Sequence, residues 1–373
     1  MQMKLTILKS KLLSALQDIV SVIPSKTTLP ILSHILIKAD DSKIKLAATD
    51  LDISMTTTLE AKVTKKGEIT VPAKTFTDII RESPETQIEI SAADNRMELK
   101  INHGVYKLPG LPVDEFPKLP TVNLSKEIKV AGPDLCRMIK KTIYAVSTDE
   151  TRPALNGILW QTKGENIQMV ATDGHRLAKF SQKNKKLKGL HEDVIVPPKI
   201  LGVLTRLIGD QDKEVGVIFE ENSLIFDLGD TILSTRLIEG PYPGYEQVIP
   251  KDNDKKLIVE KELLANTVKR VSILSNLLTH QVKFSLKKDI LELSSANFDL
   301  GGEAKEKIPC DYKNEDLDLG YNATYIQDAL KQIDGDEVIF ELSTPVSAGM
   351  VYSTQKKEDE EYLCLIMPLR LVE

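Results

Sequence analysis

The residues best suited to chemistry in this sequence sit together in Ala171-Thr172-Asp173-Gly174-His175-Arg176-Leu177. An Asp two residues before a His has the side chains of a general-base pair in a hydrolase, or of two metal ligands. A working site needs more, and no further His, Cys or carboxylate motif stands nearby to complete it. The Asp also returns without any His. Ile44-Lys45-Leu46-Ala47-Ala48-Thr49-Asp50 reads like Ile167-Gln168-Met169-Val170-Ala171-Thr172-Asp173, and more weakly like Leu291-Glu292-Leu293-Ser294-Ser295-Ala296-Asn297. A carboxylate or amide repeated at the end of an alternating run reads as turn chemistry. Gly301-Gly302 stands alone, and no phosphate-loop, dinucleotide, nucleophile-elbow or H-E-x-x-H pattern occurs.

The elements that would hold this motif repeat with it. The three copies begin 123 and then 124 residues apart, the size of one ordinary domain. In the first unit, residues 1–121, Leu12, Leu13, Leu16, Ile19 and Val20 make a helical stripe that Pro24 ends. Val71-Pro72-Ala73-Lys74 opens a second helix that buries Phe76, Ile79 and Ile80, and Gln87–Ser91 returns to strand alternation. In the second unit, 122–250, Leu135, Met138, Ile139 and Ile143 form the first stripe, and Val196-Pro197-Pro198-Lys199 opens the second helix. In the third, 251–373, Leu263, Leu264, Val268, Val271 and Leu274 form the first stripe, and 322–333 forms the second helix. Pro-rich stretches, Phe116–Pro120 and Pro241-Tyr242-Pro243-Gly244-Tyr245, link the units. Short alternating runs such as Glu98–Ile101 suit antiparallel strands. The expected fold is α+β, three repeated domains each with two helices on antiparallel sheet.

Bulk composition fits such a protein. A chain of 373 residues suits two or three domains rather than one core. Cys136, Cys310 and Cys364 are scattered, which suggests neither a disulfide framework nor a zinc site and fits a reducing compartment. The stretch Met1–Lys4 lacks a signal-like apolar segment and no apolar run would span a bilayer, so a cytoplasmic location without membrane contact is expected.

The net charge of -6 argues on its face against nucleic acid, but its distribution matters more than its sum. Across helices expected at 9–20, 74–82, 133–144, 198–208, 261–274 and 323–333, cations exceed carboxylates by seven, leaving -13 on the remainder. Helices gathered on one cavity would make a positive surface suited to phosphates and blind to bases. The bland alternative is a set of solvated, Lys-rich helix faces. Lys183, Lys185, Lys186 and Lys188, and likewise Glu358–Glu361, read as solvated loops.

The triplicated unit, the Ala171–Leu177 motif, Tyr242–Tyr245, Phe298-Asp299-Leu300-Gly301-Gly302-Glu303-Ala304 and the terminal Met367-Pro368-Leu369-Arg370-Leu371 together resemble the bacterial DNA polymerase III beta subunit, the sliding clamp family. The resemblance spans the whole chain. It implies a non-catalytic, ring-forming, head-to-tail homodimer of clamp domains that encircles duplex DNA without reading sequence. It implies, as partners, DNA polymerase III alpha, clamp-loader subunits, and other polymerases and repair proteins carrying Gln-Leu-x-Leu-Phe-like motifs. No cofactor and no metal is implied.

Residue by residue, the resemblance implies a peptide-binding pocket at Leu155, Thr172, Gly174, His175, Arg176, Leu177, Pro243, Val248, Asn322, Tyr325, Val346, Met367, Pro368, Leu369 and Arg370. Leu155, Leu177, Val248, Val346 and Met367 would form an apolar groove, with Asn322, His175 and Arg176 as polar anchors. The sequence departs from better-known members at Gln247, where Arg is frequent, and at Thr279, where Phe occurs. DNA contact is implied at Lys26, Arg137, Lys141, Arg152, Lys199 and Arg206. Ring closure is implied at Tyr106 and Leu108 of the first domain against Ile273 and Leu274 of the third. Two other functions compete: a hydrolase using Asp173 and His175, and a protein-binding scaffold that does not engage DNA.

Overall fold

A computed structural model describes residues 3–120, 123, 127–183, 193–297, 301–355 and 357–371. Lys185, Lys186, Lys188 and the Phe298-Asp299-Leu300 part of the motif above lie outside the described residues. Six α-helices are present among those described: α1 (Lys9–Ile19), α2 (Ala73–Glu82), α3 (Gly132–Thr142), α4 (Pro198–Ile208), α5 (Lys261–Val271) and α6 (Ala323–Gln332). None is long and apolar enough to cross a membrane. The expected first helices of each repeat ran further. In each, the last residues tighten instead into a 3-10 turn, Val20–Val22, Ile143–Ala145 and Ser272–Leu274. Side-chain caps mark two starts. Glu260 accepts from the Glu262 and Leu263 amides at α5, and Asn322 from the Thr324 amide at α6.

The chain packs as two compact units, Met1–Cys136 with Lys199–Leu237, and Arg137–Pro198 with Ile238–Glu373. Contact density thus divides the middle repeat, although the sequence makes it one of three. The reason is sheet pairing. In the first unit, the strand Thr231–Arg236 of the second repeat pairs antiparallel with Ile53–Glu60 of the first, Leu233 opposite Met55. That pairing fuses strands of both repeats into one eight-stranded sheet. In the second unit, Glu360–Ile366 of the third repeat pairs antiparallel with Arg176–Lys183 of the second, Leu365 opposite Leu177. A nine-stranded sheet results.

Each unit also holds a sheet from one repeat alone. A five-stranded sheet of the first repeat ends on the edge strand Gly104–Pro109, and a four-stranded sheet of the third ends on Gly302–Pro309. Both edges carry exposed Lys residues and a terminal Pro, the devices that discourage indiscriminate strand addition. Beneath the sheets of the third repeat, Leu264, Val268 and Val271 of α5 and Ile326 and Leu330 of α6 pack on Phe284, Tyr321 and Phe340. Phe284 meets Tyr321 edge-on at 5.3 Å. Each fully buried side chain of this size stabilises the fold by roughly 1.5–3 kcal/mol, and this core fixes α6 beside the chain's last strand.

Candidate functional site

The Asp173–His175 motif is a tight turn between the strands Asn166–Thr172 and Arg176–Lys183. The Asp173 carboxylate accepts from the amides of His175 at 2.8 Å and Arg176 at 2.9 Å. The Thr172 hydroxyl donates to the Arg176 carbonyl at 2.6 Å and accepts from the Gly174 amide at 3.1 Å. Gly174 has φ +91°, the left-handed region that a glycine enters without penalty. The same hydrogen bonds recur in the first repeat. Thr49 donates to the Ile53 carbonyl and accepts from the Leu51 amide, and Asp50 accepts from Asp52 and Ile53. There Leu51 takes φ +82°, which a branched side chain enters only under strain. Asp173 is therefore a turn former. Its second oxygen accepts from Arg176 Nε at 3.1 Å, and the exposed His175 ring makes no pair with it. The acid–base dyad that the residue types suggested is absent from the geometry.

Arg176 is the anchor of the site rather than its open polar face. Its guanidinium binds Asp173 and, at 2.8 Å, Asp328 of α6. It lies between the rings of Tyr144 at 5.4 Å and Tyr325 at 4.5 Å, and 11% of the side chain remains exposed. Burial opposes its charge, but the carboxylates of Asp328 and Asp173 outweigh burial and hold its pKa above the ordinary value. The residue expected as a polar anchor thus has both carboxylates on its fork already.

The last described segment crosses this site. The Met367 amide donates to the His175 carbonyl at 2.8 Å, and the Leu369 amide to the Gly320 carbonyl at 2.7 Å. A Cβ on Gly320 would stand 2.7 Å from the Leu369 carbonyl oxygen, so glycine is what lets the segment lie down there. Asn322 caps α6 through the Thr324 amide at 2.9 Å, so its amide oxygen serves the helix.

An apolar floor of Leu159, Val170, Leu177, Ile195, Tyr245, Ala348 and Leu365 lies below, with Ala154, Tyr242 and Ile249 packed on it. Tyr245 fixes its end by donating to Gln161 at 2.8 Å, and burial pushes the Tyr242 hydroxyl pKa up. Leu155 and Leu177 are buried rather than lining an open groove. The sequence neighbours of the floor provide the accessible apolar surface: Val248 at 55%, Val346 at 60% and Met367 at 36% exposure. Pro243, His175 and Arg370 are exposed, and Pro368, Leu369, Tyr325 and Thr172 half-buried. The arrangement offers large apolar side chains a place to bury, rimmed by backbone carbonyls and amides. Sequence reasoning missed Tyr144, Asp328 and Ala348, none of which belongs to a motif.

The comparisons agree along the full length. Family profiles described as the DNA polymerase III beta subunit N-terminal, central and C-terminal domains match residues 3–120, 129–244 and 246–370. The chain belongs to the DNA polymerase III beta subunit family. The beta sliding clamp of Caulobacter vibrioides is 34% identical over 376 residues, covering 99% of this chain and all of that one. That of Pseudomonas aeruginosa is 31% identical over 371 residues, with 99% and 100% covered. Among solved structures, the Bartonella birtlesii DNA polymerase III subunit beta, crystallised with griselimycin bound, matches with TM-score 0.94 at 32% identity and full coverage of both chains. The Bacillus subtilis sliding clamp matches with TM-score 0.94 at 28% identity, again with full coverage. Sliding clamps are non-catalytic processivity factors for DNA polymerase, which accords with a turn in place of a dyad.

The basic residues expected on the clamp's DNA face divide sharply. Arg137 binds Glu360 through Nε at 2.9 Å and Asp334 through Nη2. Lys141, its side chain 5% exposed, donates to the Gln332 carbonyl, lies 3.1 Å from Asp334 and sits 4.9 Å over the Tyr362 ring. Of the two cations expected at DNA, Lys141 is buried and Arg137 keeps 25% of its side chain exposed with its guanidinium shared between two carboxylates. Glu360, read from sequence as part of a solvated loop, opens a strand and anchors Arg137. Tyr144 and Tyr362 join hydroxyls at 2.8 Å beside this cluster, and Tyr144 also donates to the Cys364 sulfur. Burial pushes the Cys364 thiol up to about 12, an inert side chain.

Lys26 and Arg206 are exposed. Arg152 pairs with Asp149 at 2.9 Å, and Lys199 with Asp50 at 2.5 Å while keeping half its surface in solvent. Of the residues expected at ring closure, Tyr106 is exposed and Ile273 is 72% exposed. Leu274 is half-buried near Gly302. Leu108 is buried within its own sheet opposite Met97, so it supports that edge from behind.

Proposed function

We propose that two copies of this clamp close head to tail into a ring of six domains around duplex DNA. One observation carries this reading. The edge strand Thr231–Arg236 of the second repeat caps Ile53–Glu60 of the first, and the equivalent Glu360–Ile366 caps Arg176–Lys183. The remaining members of those two strand classes, Gly104–Pro109 and Gly302–Pro309, end their sheets without a partner among the described residues. A second copy supplies each of these two edges with what it lacks, and a heterologous contact that closes after two subunits leaves neither of them open. Tyr106 and Ile273 stand exposed for that contact, backed by Leu108 and Leu274. Domain limits at 1–121, 122–250 and 251–373 follow the repeat.

The pocket from Leu155 to Arg370 takes an extended Gln-Leu-x-Leu-Phe-like segment of a polymerase, clamp-loader or repair partner. Its apolar side chains bury against Val248, Val346 and Met367 while Arg176 holds the wall. Lys26, Arg152, Lys199 and Arg206 face phosphates without reading bases. The protein works in the cytoplasm, where its DNA is.

The test is retention. Loaded protein should stay on nicked circular duplex and be shed when the circle is cut, and its mass by ultracentrifugation should be that of a dimer. Equal retention on circles and linear duplex would contradict encirclement and favour a scaffold that merely binds proteins.

A further inference from the structure

The first helix of every repeat has eleven residues, and its tenth residue is charged: Asp18 in α1, Lys141 in α3, Arg270 in α5. The tenth residue of the second helix is Glu82 in α2, Leu207 in α4 and Gln332 in α6. Inside the chain these two positions meet between α3 and α6. Lys141 donates its ammonium to the carbonyl of Gln332 and lies 3.1 Å from Asp334. At the other junction the charged residue is Asp18, and the ammonium on the helix end is the second repeat's own Lys213, which donates to the carbonyl of Leu207 at 3.0 Å. At both helix ends an ammonium sits on the tenth carbonyl, supplied at α6 by the tenth residue of the preceding repeat's first helix. That end carries the negative pole of the helix, so a cation belongs there.

The third repeat has no following repeat in its own chain, and Arg270 is its equivalent of Lys141. Its guanidinium is held by Glu306 of the edge strand Gly302–Pro309, and half of the side chain is exposed. The corresponding helix end, that of α2, offers the exposed carboxylate of Glu82 together with its terminal carbonyls. We infer that Arg270 of one copy docks on the C-terminal end of α2 in a second copy, paired with Glu82, as the intermolecular equivalent of Lys141 on the end of α6. The inference rests on the head-to-tail dimer proposed above. Glu306 holds the arginine through Nε and Nη2, so the contact adds a second carboxylate to an arginine already oriented. A fork of five donors can serve both.

The experiment is a charge swap read by sedimentation equilibrium across a dilution series, on full chains whose thermal melts match wild type. Arg270→Glu and Glu82→Arg should each weaken dimerisation about tenfold, as close interfacial charge pairs do. The doubly swapped chain should recover to within about threefold of wild type, since both copies then present the reversed pair. Arg270→Gln, which leaves no like charge against Glu306, separates a lost contact from repulsion within the chain and should weaken the dimer by several-fold. Single variants that dimerise like wild type, or a double variant no better than the worse single, overturn the pairing while leaving the dimer intact. A wild-type chain that stays monomeric at every concentration overturns the head-to-tail reading, and this pairing falls with it.

Discussion

The guanidinium of Arg176 lies 4.5 Å over the ring of Tyr325 and is bound to Asp328 three residues further along the same helix. It thereby fixes α6 to the turn that carries His175. Replacing it by Ala leaves Asp173 to its backbone amides and Asp328 to the exposed Lys331, both carboxylates losing the guanidinium that joins them. Breaking such a pair destabilises by about 3 kcal/mol or more. Arg176→Lys keeps the charge but not the fork or the stacking, and should lose about half as much. Urea unfolding checks both values. If Arg176→Ala weakens partner-peptide binding with stability unchanged, the arginine touches the peptide instead of shaping its wall.

Gly320 tests whether the final segment forms the pocket. An added methyl would stand 2.7 Å from the Leu369 carbonyl and 3.0 Å from the Leu371 side chain. Gly320→Ala should therefore lift Leu369, break its 2.7 Å amide hydrogen bond, and weaken peptide binding about tenfold, the equivalent of one hydrogen bond with its packing. Met367→Ala with Leu369→Ala should cost a few kcal/mol of binding together. Calorimetry against a Gln-Leu-x-Leu-Phe-like peptide measures both, and unchanged affinity in the two variants removes the segment from the site.

How far the sequence reached follows from what each signal encodes. The helices were legible because Leu264, Val268 and Val271 recur at helical spacing and face one core. The turn at Asp173 was legible because Asp50 repeats it without the histidine. The engagement of Arg137 and Lys141 was not. Their partners Asp334 and Glu360 lie about 200 residues away along the chain, beyond any periodicity. A charge tally by helix counts both as surface cations, although they stand four apart on the face that α3 buries. For the same reason the ion pairs of Arg176 could not be read. Its carboxylate on α6 is one Asp among many in the sequence, and only the fold brings it within 2.8 Å.

The cluster around Asp334 predicts an acid limit. Burial alone would raise this carboxyl, but hydrogen bonds and charge from Arg137 and Lys141 prevail and hold its pKa below 3.8. Lys141 is itself pushed below the usual lysine value, because its burial exceeds what Asp334 returns. For a carboxyl depressed in the folded state, the stabilisation is fully present above the unfolded value and lost as pH falls through the folded one. The stability advantage of wild type over Asp334→Asn should therefore be constant from pH 7 down to about 5 and shrink below 3.8. Thermal unfolding across that range reads it directly. A difference that persists undiminished at pH 2.5 would assign the stabilisation to shape rather than charge.

The same helix predicts which cation reaches DNA. Lys140 precedes Lys141 by one residue, so it is turned by about 100° from the buried face, and it is exposed. It is thus Lys140, not Lys141, that is free to displace a counterion from a phosphate. Lys140→Ala should lower the slope of log affinity against log salt by about 0.9 on a short duplex. Lys141→Met should leave that slope unchanged while lowering stability, since it strips Asp334 of one of its two cations. Fluorescence anisotropy from 50 to 200 mM salt, the range over which phosphate contacts are lost most visibly, separates the two variants. The reverse outcome, with the slope falling only for Lys141→Met, would require α3 to release its buried cations when DNA arrives. The Arg137–Glu360 pair would then have to open on the complex.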